Sequence, residues 1–84
     1  MTALSELPNI GPVLETHLRA VGIETPAQLQ EIGAEEAFMR IRVHQDPGAC
    51  LHMLYGIKGA LLGIPDSLLP HEMKEELKAF YRSL

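Results

Sequence analysis

The chain has no tryptophan, a single cysteine (Cys50) and only four aromatic residues: Phe38, Tyr55, Phe80 and Tyr81. One cysteine rules out an internal disulfide and fits a reducing compartment, so a cytoplasmic protein is expected. No apolar run approaches the roughly 20 residues of a membrane span. The opening Met1-Thr2-Ala3-Leu4-Ser5-Glu6 lacks the basic patch and long apolar core of a signal peptide. No run of four β-branched or aromatic residues alternates with period two, which argues against strands. Cations are missing where they would matter most. Residues 1–33 hold Arg19 alone against Glu6, Glu15, Glu24 and Glu31, the acidic end of a chain whose net charge is −4.

What remains is helical punctuation in 84 residues, enough for a single domain over 1–84 and for one core. A short helix is expected over Ala3–Leu7, capped by Thr2 and stopped at Pro8, which removes an N–H and clashes with the preceding turn. A second opens with Pro12 at its first position, buries Leu14, Leu18 and Val21, and ends at Gly22. Thr25-Pro26-Ala27-Gln28 is a capping box for a third helix that buries Leu29 and Ile32 and closes at Gly33. A fourth, about Ala34 to His44, places Ala34, Ala37, Phe38 and Ile41 on one face. Asp46-Pro47-Gly48 makes a turn. The segment from about Ala49 to Leu62 is apolar almost all round, as expected of a central helix, with Gly63 as its C-cap. A last helix opens at Pro70 and shows the stripe Met73, Leu77, Phe80, Tyr81 and Leu84. The fold class is therefore all-α: a compact bundle of five to six short helices with a helix-hairpin-helix-like N-terminal half.

The hairpin is Leu7-Pro8-Asn9-Ile10-Gly11-Pro12. Taken with Leu18-Arg19-Ala20-Val21-Gly22-Ile23, with Thr25, Leu29 and Ile32-Gly33, and with Leu54-Tyr55-Gly56-Ile57-Lys58-Gly59-Ala60-Leu61-Leu62-Gly63, it resembles the C-terminal domain of the TfoX/Sxy family of competence regulators. The resemblance runs from Leu7 through about nine-tenths of the chain. Better-known members of that family are two-domain proteins that promote expression of DNA-uptake genes, and this sequence corresponds to their C-terminal domain alone. The resemblance implies a helical module related to helix-hairpin-helix domains.

Two residue clusters are candidate sites. Asn9, Ile10 and Gly11 form the hairpin that, in phosphate-gripping versions, is typically glycine-hydrophobic-glycine followed by a lysine or arginine. Asn9 stands at the first glycine position and tolerates a left-handed backbone. Pro12 removes a donor, however, and Glu15 lies about one turn inside the helix, where it repels a phosphate. The segment thus reads as a packing turn or partner contact before it reads as a phosphate grip. Gly56, Gly59 and Gly63 recur at i, i+3 and i+7, on one helix face. They point to a close backbone crossing or to a shallow groove for a partner.

No chemistry of the enzymatic kind is announced. His17, His44, His52 and His71 are scattered, and Cys50 and His52, two apart on a helix, point to nearly opposite sides. Arg40 and Arg42 splay apart for the same reason. There are no paired carboxylates, no serine-histidine-aspartate set and no nucleotide-binding loop, so no catalytic residue, metal, cofactor or small-molecule substrate is expected. The expected role is a non-catalytic binding module, with a protein partner or a second copy favoured over DNA and no membrane involved. Met53, Tyr55 and Tyr81 near an apolar surface favour self-association. The alternative is a DNA-binding accessory protein in competence or recombination that uses the Asn9, Ile10 and Gly11 amides.

Overall fold

A leucine begins the fold. In the computed structural model, which describes residues 3–84, Leu4 is fully buried at the head of a 3-10 turn over Leu4–Glu6. This turn stands where the sequence predicts a helix over Ala3–Leu7. Pro8 leaves too few residues for a stable α-helical nucleus, and Ala3 is the capping residue. The cap expected at Thr2 lies outside the described residues. Five helices follow: α1 (Pro12–Ala20), α2 (Pro26–Ile32), α3 (Ala34–His44), α4 (Leu51–Leu62) and α5 (His71–Arg82). A second 3-10 turn, Asp66–Leu68, links α4 to α5, and no strand occurs among the described residues.

Each boundary has a local cause. Pro12 occupies the first turn of α1, where its missing N–H breaks no bond. Val21, expected in the buried stripe, instead caps that helix and is half-buried. The capping box on α2 is complete: the Gln28 amide donates to Thr25 Oγ1 at 3.1 Å. In return, Gln28 Oε1 accepts from the Thr25 and Glu24 amides at 3.2 and 2.7 Å. Gly33 ends α2 and begins α3 at φ 88°, ψ 161°, a conformation essentially confined to glycine. α4 starts at Leu51, two residues later than the sequence suggests. Asp46 accepts from the Gly48 amide through its side chain and from the Ala49 amide through its carbonyl, and these bonds keep the turn closed as far as Ala49.

The core is built on α4, which packs against α2, α3, α5 and the second 3-10 turn. Leu54, Ile57 and Ala60 of α4 share one core with Phe38 and Ile41 of α3, Leu18 of α1, Leu29 of α2 and Leu77 of α5. The apolar run along α4 is wider than the core it serves, since Leu62 at its end is 46% exposed. Leu84, expected on the α5 stripe, lies beyond the helix and is exposed. Tyr55 and Tyr81, expected near an interacting surface, are used internally. Tyr55 Oη donates to the Lys74 carbonyl at 3.3 Å. Tyr81 lies 6.0 Å from the Phe38 ring and 5.4 Å beneath the Arg42 guanidinium.

Thr25→Ala breaks the capping box and is expected to lower stability by about 1 kcal/mol, measured by urea denaturation.

A hairpin latched onto the glycine face of the central helix

Asn9 is the only non-glycine residue with positive φ among those described, at 69°. Asparagine reaches this region at lower cost than other side chains, and here the conformation reverses the chain between Pro8 and Ile10. Ile10 then turns into the core, 5% exposed, and Gly11 begins α1 in extended backbone. The Asn9 side chain points the other way, onto α4. Its Nδ2 donates to the Gly56 carbonyl at 3.3 Å and the Ile64 carbonyl at 3.0 Å. Its Oδ1 accepts from the Asp66 amide at 3.1 Å. Two carbonyl acceptors and one N–H donor fix the orientation of the carboxamide, because only the NH2 end can serve the carbonyls.

The two sequence-predicted clusters thus meet. A Cβ on Gly59 would stand 2.6 Å from Asn9 Nδ2 and 2.8 Å from the Ile64 carbonyl oxygen. The absence of a side chain there is what admits both. Gly56 is less confined, since a Cβ on it would touch Asn9 Cβ at an ordinary 3.5 Å. Gly63 does not join them: it is the left-handed C-cap of α4, at φ 74°. The face the glycines open is filled by this chain's own Asn9, Ile64 and Asp66. Sequence reasoning missed the last two, although Ile64-Pro65-Asp66 directly follows the glycine that ends α4.

The solvent side of the hairpin is acidic and apolar. Glu15 Oε2 accepts from the Ser5 amide at 3.0 Å and lies 3.9 Å from Arg19, the one cation of this region. Pro12 has no N–H, so the first turn of α1 offers only the Val13 and Leu14 amides. Val13 is 71% exposed where a phosphate grip places a cation. Beside Asn9 a small cleft of about 220 Å³ includes His52 and Asp66, whose Nε2 and Oδ2 are 3.3 Å apart. Cys50 caps α4 and is exposed. Among the described residues no three His, Cys, Asp or Glu side chains are grouped to hold a metal, and no helix is long and apolar enough to cross a membrane.

The TfoX C-terminal domain model matches residues 1–81, and the chain belongs to that family. Protein Sxy of Escherichia coli (strain K12) is 33% identical over 81 residues, which are 96% of this chain and 38% of Sxy. The chain thus spans well under half the length of that relative. Two crystal structures of Listeria monocytogenes proteins share the fold. An uncharacterised protein in a triclinic crystal form is 46% identical with a TM-score of 0.95, over 98% of this chain and 92% of its own. A protein of unknown function in a tetragonal form is 48% identical with a TM-score of 0.91, over 95% of this chain and 96% of its own.

Two pairs of substitutions test the latch by denaturant melts. Asn9→Gly keeps the backbone and loses the hydrogen bonds, costing about 1–2 kcal/mol, and Asn9→Ala costs about 1 kcal/mol more because alanine resists positive φ. Gly56→Ala is expected to raise stability by about 0.5–1 kcal/mol through helix propensity, whereas Gly59→Ala lowers it by about 1–3 kcal/mol through overpacking against backbone.

Proposed function

We propose that this domain is a non-catalytic binding module that acts through protein–protein contacts, in a process related to the competence regulation of its family. The observation that carries the proposal is the state of the hairpin. Its Asn9 side chain lies against α4 and the segment after it, and the first turn of α1 beside it presents Val13 and Glu15. Nucleic-acid affinity comes largely from neutralised phosphates. Here Arg19, the one lysine or arginine within residues 1–33, lies 3.9 Å from Glu15. Exposed Val13, Val43 and Leu68 are instead the kind of surface a protein partner covers. The single free Cys50 fits a cytoplasmic setting.

A titration of fluorescently labelled duplex DNA at low salt tests this reading. No saturable change in anisotropy is expected. Binding that appears at low salt and falls steeply as salt rises would overturn it in favour of a DNA-binding accessory role through the hairpin amides. Sedimentation equilibrium then sorts the protein partners. A mass that stays at 9.3 kDa across concentration assigns the contacts to a different protein, and a rising mass assigns them to a second copy.

A further inference from the structure

Two hollows adjoin where the start of α3 meets α5. One, of about 320 Å³, is lined by Ile32, Glu35, Glu36, Met39 and Phe80 together with Gly33. The other, of about 150 Å³, runs on from the shared Glu35 and Phe80 to Lys58, Met73, Glu76 and Leu77. Together they make one groove whose floor is apolar and half-buried: Ile32, Met39, Met73 and Phe80. Methionine adapts its shape to what it contacts, so such a floor accepts apolar side chains of varied form.

The rim is acidic by construction. Glu35 and Glu76 form no ion pair among the described residues, and Glu72 stands one turn from Glu76 on the same face of α5. Lys74 and Lys78, each two residues from Glu76, lie on nearly the opposite side of that helix. Lys74 is held 6.0 Å over the Tyr55 ring. Arg40 is engaged by Glu36 at 3.0 Å, which leaves Lys58 as the one unpaired cation among the groove residues.

Resting on the protein-binding reading above, we propose that this groove docks a basic amphipathic segment of a partner protein. Its apolar side chains lie over Met39, Met73 and Phe80, and its lysines or arginines meet Glu35, Glu72 and Glu76. This is the helix-in-groove mode of recognition with its charges set by the rim. Nucleic acid and an anionic membrane are repelled by the same carboxylates. A second copy of this chain, itself at net charge −4, brings like charge to the rim.

The test is a titration of the isotope-labelled chain with a synthetic helix of leucine and lysine arranged with one apolar face, followed by NMR. Saturable shifts are expected at Ile32, Met39, Lys58, Met73 and Phe80, and are lost when the same residues are scrambled so that the apolar face disappears. The Glu35→Gln/Glu76→Gln variant, checked by its unchanged thermal melt, is expected to bind about fivefold more weakly at low salt, from two rim pairs of ordinary strength. No binding, or unchanged affinity in that variant, would overturn the groove. Shifts centred on Val13 and the hairpin would also overturn it while leaving the protein-binding reading intact, which only the DNA titration can remove.

Discussion

The N-terminal hairpin is held in place by one carboxamide. Asn9 accepts a left-handed backbone so that the chain can turn, and then uses its side chain to hold the turn against α4 through three hydrogen bonds. The contact requires Gly59, because a Cβ there would occupy the space of the Asn9 amide and the Ile64 carbonyl together. Asn9 and Gly59 are 50 residues apart yet act as one unit. With the turn fixed, Ile10 drops into the core and α1 leaves at an angle that buries Leu14 and Leu18. The same carboxamide reaches the Asp66 amide, so the entry to α1 and the exit from α4 are tied at a single point.

This constraint also shapes what the hairpin offers to the outside. In a phosphate-gripping turn the backbone does the work and the side chains stay out of its way. Here the side chain of the turn's first residue is committed to the backbone of α4 and of the segment after it, Pro12 withholds an N–H, and Glu15 serves the Ser5 amide. The fold has the shape of the turn, with its polar side chains engaged by the chain's own backbone. The surface left over is apolar at Val13 and acidic around it, and the groove with the acidic rim lies elsewhere, between α3 and α5.

Where structure is decided locally, the sequence was readable. The bounds of α3 follow from its apolar spacing, the cap of α2 from Thr25 and Gln28, and the end of α4 from Gly63. The left-handed turn at Asn9 was legible for the same reason. What Asn9 binds was not, because Gly56, Ile64 and Asp66 lie far along the chain and no local pattern announces the pairing. The i, i+3, i+7 glycine row showed a face, but not that two of its members make a contact and the third a cap. The groove escaped notice because its residues come from four helices, and because Glu72 and Glu76 alternate in sequence with Lys74 and Lys78. Only the fold separates those charges. At the N-terminus the apolar pattern of Leu4 and Leu7 reads as a helix, but Pro8 cuts it to a single turn.

The most direct measurement is the environment of the Asn9 side chain in solution. If the latch holds, its two Nδ2 proton signals are displaced from those of a free asparagine carboxamide and show nuclear Overhauser contacts to the Gly59 α-protons, and the Asp66 amide exchanges slowly with solvent. Nδ2 signals at free-carboxamide positions without those contacts, together with a freely exchanging Asp66 amide, would contradict the account at its centre.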